Sequence, residues 1–255
     1  MEKSFLIKKD IKIKAPIYGS AFTGYIDTVS RYHDLRFNVD SQGIRYKVIN
    51  TPPFELYQYA YEIDLPELGR NGGEKLVSLE TSKKDVFKSW RDIGKMDNWQ
   101  YREFFQNHSV GYDLVLSKNY GKEAAHKWMI IDLDRFFNIT SKIVLRKQKC
   151  FALIKISEVK LSSYTYSNCT ADKLGENLIC TGVAIDKIVE QLHPKLGTPY
   201  YIINETGIDF KVDITFPLKT KTEDGLTRLR KALNKQGLDL VEVERDLKML
   251  VISDK

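Results

Sequence analysis

Hydrophobic residues recur along this chain in two periods, and the switches between them mark out its elements. From Glu223 to Gln236, Leu226, Leu229 and Leu233 are spaced by three and four, which predicts an amphipathic helix. Thr222 can cap its start, and Gly237 stands where a helix-ending glycine belongs. Leu238 to Glu244 then alternates, Val241 and Val243 against Leu240, Glu242 and Glu244, so a strand is expected. Arg245-Asp246 reads as a turn and Leu247 to Ser253 as the returning strand of a hairpin.

The same succession occurs earlier. Glu123 to Phe137 reads as a helix with Trp128, Ile131 and Phe136 available for a core, followed by strands Lys142 to Arg146 and Cys150 to Ile156. Another strand precedes each helix, Gly111 to Ser117 and Phe210 to Phe216, and each sets an aspartate, Asp113 or Asp213, between apolar neighbours. Further upstream lie two shorter helices. One starts at Thr51-Pro52-Pro53, with Thr51 as cap and Pro52 at the first helical position, where its missing N–H costs nothing. The other carries Ile185, Ile188, Val189 and Leu192 and is expected to stop at Pro194. A hairpin precedes each: Arg36 to Asp40 with Ile44 to Ile49, and Leu161 to Cys169 with Asn177 to Thr181.

Two passes through the same order predict an α+β protein built from two similar β-β-α-β-α-β-β units, with antiparallel or mixed sheets and helices packed on one face. The units are expected over residues 31–158 and 159–255, behind a basic extension at 1–30. The offset is 132 from Leu56 to Ile188 but 100 from Asp113 to Asp213, so the first unit carries an insertion. It spans about 64–107, holds Gly69, Gly72 and Gly73, and contains a predicted helix near Trp99 to Phe105. Insertions of this kind lie at surfaces and often carry a protein's specific function.

Composition narrows the class. Of 255 residues, 42% are hydrophobic and 29% charged, with 7 Pro and 15 Gly, which excludes disordered and collagen-like chains. The longest apolar runs, such as Trp128 to Ile131, fall far short of the roughly 20 residues of a membrane helix, so no span is expected. Forty basic residues against thirty-four acidic leave +6, but the charges are interspersed, as in Glu55 to Glu67, which argues against a nucleic-acid partner. Lys3, Lys8, Lys9, Lys12 and Lys14 make the start basic, and no 7–15-residue apolar stretch follows them, so the chain as written shows no signal peptide. A native start at Met1 would imply the cytoplasm.

The local charge is distributed unevenly. Lys142, Arg146, Lys147, Lys149 and Lys155 form a stretch without an acidic residue, whereas Asp239 to Lys248 holds Asp239, Glu242, Glu244 and Asp246. If Ile143 and Leu145 match Val241 and Val243 as core positions, Arg146 matches Glu244 on the outward face. Lys142, Arg146, Lys147 and Lys149 are therefore a candidate interaction surface for an acidic partner, including the acidic hairpin of a second copy. Cys150 reads as a small buried hydrophobe. Cys169 and Cys180 flank Asp172-Lys173-Leu174-Gly175; a two-residue turn at Leu174-Gly175 would set them opposite, but as a hydrogen-bonded pair with widely separated Cα atoms, and a bulged turn would shift the register by one. A disulfide between them is left open.

Several segments resemble a known family. Ile44-Arg45-Tyr46-Lys47-Val48-Ile49 through Tyr57-Gln58-Tyr59-Ala60-Tyr61, with Gly111-Tyr112-Asp113-Leu114-Val115, looks like the opening of an exported, soil-associated bacterial family known as domain of unknown function three-seven-three-eight. Leu133 to Ile139, Leu196 to Tyr200 with Glu205 to Ile208, and Ala232 to Leu238 with Leu250 to Ile252 are similar to its later blocks, in the same order over about 30–254. The chain has Thr198 and Glu205 where the family pattern has arginine and lysine. The resemblance implies a periplasmic or secreted protein with a protein partner in the envelope, and supplies no catalytic residues. The helix-and-hairpin units also resemble the short N-terminal interaction domain of secretins and TonB-dependent receptors.

Candidate chemistry is sparse. Gly69-Arg70-Asn71-Gly72-Gly73-Glu74-Lys75 lacks the GxxxxGK[ST] spacing of a phosphate loop and reads as a surface turn. Asp132 and Asp134 point about 200° apart on a helix and read as solvated. His33, His108, His126 and His193 show no ligand spacing, and there is no GxSxG elbow. No catalytic, metal or cofactor site is assigned. The expected function is a non-enzymatic envelope interaction or sensor module. The alternatives are a hydrolase or redox-linked enzyme with its site in the 64–107 insertion, and a binder of anionic ligands.

Overall fold

The computed structural model describes residues 18–39, 43–117, 119–196, 199–218 and 223–255. The N-terminal lysines, Asp40, the Gly197-Thr198 pair and the Thr222 cap lie outside them. The fold is mixed α+β, and no helix among the described residues is long and apolar enough to cross a membrane. Two compact units form: Met1–Gly69, Ser78–Ile143 and Leu250–Lys255 make the first, Arg70–Val77 and Val144–Met249 the second.

The first half of the chain contains β1 (Tyr18–Thr23), β2 (Tyr32–Val39), β3 (Ile44–Thr51), α1 (Pro53–Ala60), β4 (Val77–Glu80), α2 (Trp90–Ile93), α3 (Asn98–His108), β5 (Val110–Leu116), α4 (Lys122–Phe137) and β6 (Ile139–Lys155). An antiparallel sheet of order β1-β5-β3-β2 forms the frame of unit 1. Ile44, Tyr46 and Val48 alternate inward along β3. Helix α1 begins one residue later than expected. Thr51 still belongs to β3, Pro52 takes the cap position, and Pro53 opens the helix, where no N–H is needed. Within the insertion, Asp97 caps α3 by accepting from the N–H groups of Trp99 and Gln100, and Gln100 returns the bond to the Asp97 N–H.

Helix α4 lies on a different face from the one expected. Ala125, Met129 and Leu133, spaced by four, are fully buried, whereas Ile131 and Phe136 are exposed. Phe136 instead stacks on Phe22 of β1 at 4.2 Å. Asp132, expected to be solvated, lies on the inward side: its carboxyl is buried and accepts hydrogen bonds from Tyr18 (2.5 Å) and Tyr112 (2.9 Å). Asp134, pointing another way as helical geometry requires, accepts from the Tyr57 hydroxyl (2.9 Å), the Ser141 N–H (2.9 Å) and the Ser141 hydroxyl (2.7 Å). Both aspartates are structural acceptors, Asp132 for the buried Tyr112 hydroxyl and Asp134 for that of Tyr57.

The second half contains β7 (Asn168–Ala171), β8 (Asn177–Val183), α5 (Ile185–Leu196), β9 (Tyr201–Glu205), β10 (Val212–Pro217), α6 (Glu223–Asn234) and β11 (Leu238–Asp254). Unit 2 is built on an antiparallel sheet of order β10-β8-β7. Its core gathers Ile188 and Leu192 of α5, Leu229 and Leu233 of α6, and Leu153, Phe216 and Leu240 of the strands. Pro194 does not end α5 but sits in its last turn. Gly237 follows α6 at φ 82°, the left-handed conformation expected of it.

The hairpins expected after the two long helices are absent, whereas those expected before the short helices are the β2-β3 and β7-β8 pairs. β6 and β11 are each one unbroken strand of 17 residues, in a mixed sheet of order β4-β11-β6-β9 where β6 runs parallel to β9. Tight hairpin turns favour a glycine or asparagine at positive φ, and neither Lys147-Gln148 nor Arg245-Asp246 contains one. Arg245 is held in the strand by Glu205, whose two carboxylate oxygens accept its Nε and Nη2 at 2.7 and 2.9 Å. Leu145, expected in the core, is 64% exposed.

The strand order repeats nonetheless. β2-β3-β5 in unit 1 matches β7-β8-β10 in unit 2, antiparallel throughout, with α1 and α5 after the second strand and α4 and α6 after the third. Even the matched aspartates act alike, each reaching the neighbouring strand: Asp113 pairs with Arg45 of β3 at 2.7 Å, and Asp213 accepts the Gly182 N–H of β8 at 2.8 Å. β4 and β9 match as well, each following the first helix of its half and each at an edge of the β4-β11-β6-β9 sheet, whereas β1 has no counterpart among the described residues.

Cys169 and Cys180 lie opposite each other and form a disulfide, with Cα atoms 4.1 Å apart. The turn is longer than two residues. The Asp172 N–H donates to the Asn177 carbonyl at 2.9 Å, so residues 173–176 form the loop. Moving the closing pair by one makes 169 and 180 a non-hydrogen-bonded pair, the close-set type that a cross-strand disulfide can bridge.

Candidate anion-binding cleft

Three lysines from two separate parts of unit 2 line one cleft of about 420 Å³: Lys75, and Lys147 with Lys149. Tyr200 and Tyr201, at the start of β9, and Glu244 and Leu247 of β11 line it too. Lys147 and Lys149 are two apart on β6, and strand periodicity therefore sends both to the same side. Arg146 falls on the other side of the strand. Lys142 belongs to the part of β6 in unit 1. Of the four basic residues singled out from sequence, two thus meet in the cleft.

β11 lies beside β6, and Lys149 meets Glu242 of the acidic stretch at 3.8 Å, a loose and exposed pair worth at most about 1 kcal/mol.

Lys75 arrives through the glycine-rich segment of the insertion, which is not a simple surface turn. Gly72 and Gly73 are buried, and a short helical turn follows over Gly73–Leu76. Gly72 has φ 87° and lies directly against the ring of His193 on α5; a Cβ there would sit 2.3 Å from the imidazole Nδ1. Only glycine meets both demands. The close approach seats the turn on His193 and brings Lys75 to the wall of the cleft. Tyr201 packs the other side of that imidazole, with ring centroids 4.5 Å apart, while Tyr200 meets Phe151 edge-on at 5.8 Å.

Burial pushes the His193 imidazole down to about 3, the nearby Lys75 ammonium adds to the shift, and the Ile202 backbone opposes it. A histidine is thus held neutral behind a set of cations. The stability consequence has a definite sign. Between pH 6.5 and about 3 the unfolded chain takes up a proton that the folded site refuses, so unit 2 loses stability as pH falls through that window. His193→Phe keeps a ring against Tyr201 and should flatten the pH dependence of the urea midpoint between pH 7 and 4. Equal slopes for both proteins would assign the effect to other groups.

Sequence reading missed Lys75, Tyr200, Tyr201 and Glu244 as companions of the basic strand. The paired glycines were the available signal, since consecutive buried glycines mark close backbone approach. The remaining histidines do not join this site. His126 is buried in unit 1, with Nδ1 2.8 Å from the Tyr59 carbonyl, and His108 packs on Phe104. Among the described residues no group of three or more His, Cys, Asp or Glu side chains is placed to hold a metal. No family model, curated protein or solved structure matches this chain.

Proposed function

We propose that this chain is a non-enzymatic interaction or sensor module of the cell envelope or the extracellular space, and that unit 2 recognises a small anionic ligand. The observation that carries the reading is the meeting of Lys75, Lys147 and Lys149 around one cleft with a single lining carboxylate, Glu244. Three ammonium groups gathered around one cleft favour an anion, and walls formed partly by tyrosines and Leu247 strengthen that attraction relative to open water. The Cys169–Cys180 disulfide suits an oxidising compartment. A protein partner in the envelope completes the module.

Titration with inorganic phosphate and pyrophosphate, followed by calorimetry, tests the cleft. Lys147→Glu with Lys149→Glu should weaken binding by about a hundredfold, taking roughly 1.4 kcal/mol for each charge reversed. Glu244→Gln should strengthen it, and wild-type affinity should fall as salt screens the lysines. Equal binding by wild type and the double variant would place the ligand elsewhere. The enzyme reading draws on the same insertion, because Lys75 lies within residues 64–107. Turnover of a phosphate or carboxylate ester by the purified protein would favour that reading.

A further inference from the structure

The outer edge of the third matched strand is where the two units differ. In unit 1, β5 is covered by β1 through six antiparallel pairs, from Tyr18↔Leu116 to Thr23↔Gly111. In unit 2 the matching strand, β10, ends its sheet. Its edge is nevertheless closed. The Gln236 side chain accepts the Thr215 N–H through Oε1 at 2.8 Å and donates to the Thr215 carbonyl through Nε2 at 2.7 Å. These are the two bonds that a peptide group of a neighbouring strand would make. Nε2 also donates to the Ala232 carbonyl at 2.8 Å, which fastens the amide to the end of α6. On either side, Leu161 bridges Val212, the Ser162 N–H donates to the Lys211 carbonyl at 2.8 Å, and Pro217 has no N–H to offer.

β1 is built in the opposite way. It ends the unit 1 sheet among the described residues, yet its sequence, YGSAFT, carries no charge and no proline in a chain that is 29% charged. Edge strands that stay unpaired usually carry such residues. We propose that Gln236 stands in for a strand on β10, holding shut a strand-acceptor edge, and that the partner this edge fits is β1 of a second copy of the chain. The contact would be heterologous, the β1 edge of one copy on the β10 edge of the next. The side-chain amide keeps the protein from extending its own sheet.

The test uses the full chain. Gln236→Ala should speed hydrogen exchange of the Thr215 amide at least tenfold and should show concentration-dependent association in sedimentation velocity that wild type lacks. Adding Gly19→Lys, which places a charge on the β1 edge, should abolish that association. Unchanged Thr215 exchange would overturn the surrogate role of Gln236. Faster exchange without association, or association that survives Gly19→Lys, would overturn the partner. If Gln236→Ala fails to fold, Gln236→Met gives the same readouts, because it keeps the length of the side chain and loses both the acceptor for the Thr215 N–H and the donor to its carbonyl.

Discussion

Leu229→Asp should abolish the cooperative unfolding transition of unit 2. Leu229 is fully buried on α6 and packs in the core that includes Ile188, Leu192, Phe216, Leu233 and Leu240. Removing a buried leucine side chain costs about 2–5 kcal/mol by lost contacts and cavity alone. An aspartate there would also either hold an unpaired charge out of water or carry a proton at neutral pH, and either adds several kcal/mol. The sum reaches the roughly 5–15 kcal/mol that holds a whole domain folded. Leu226, one turn earlier, is only partly buried, so Leu226→Asp should lower the melting midpoint without abolishing the transition. Calorimetric melts of the two variants check the pair; an unchanged midpoint for Leu229→Asp would mean that α6 presents another face.

The second large effect is expected at Asp134. Three donors converge on its carboxyl, and two of them, the Tyr57 hydroxyl and the Ser141 N–H, have no access to water once α1 and α4 pack together, since Tyr57 is fully buried and Ser141 nearly so. Burial, with the Asp134 carboxyl next to it, pushes the Tyr57 phenol far above its ordinary range, which shows how little that site tolerates a lone polar group. Each hydrogen bond to a charged acceptor is worth about 1.5–3 kcal/mol, and orphaning a buried donor costs about 1–3 kcal/mol more. Asp134→Ala should therefore destabilise unit 1 by more than about 4 kcal/mol in urea unfolding. Asp134→Asn, which keeps one acceptor oxygen, should lose less than half of that. A loss below about 1 kcal/mol for Asp134→Ala would show that water replaces the carboxyl.

Local periodicity was sufficient for much of this architecture. The leucine spacing of α6, the alternation along β3 and the matched succession of elements in both halves each depend on neighbours a few residues apart, and each is present in the folded protein. The helix inside the insertion, expected near Trp99 to Phe105, was legible for the same reason, because its aromatic residues lie within one stretch; its Asp97 cap came from the structure. Gly237 could be placed because a helix end needs a left-handed residue whatever surrounds it.

What sequence could not decide were the features that depend on a partner distant along the chain. Asp132 and Asp134 look like solvated helix residues until Tyr18, Tyr112, Tyr57 and Ser141, from four other places, bring their donors to them. The basic and acidic stretches look like hairpins because alternation is the same in one long strand and in two short ones; only pairing between β6, β11 and β9 distinguishes the cases, and it put Leu145 at the surface. The cleft follows the same logic. Lys147 and Lys149 were visible as a basic run, but their partner Lys75 is brought to them by a glycine turn seated on a histidine of another helix. Periodicity records which side of an element faces inward, and says nothing of which other element it meets. Charge and hydrogen bonding act across space at a few ångströms, so the chemistry of this protein is set by those meetings.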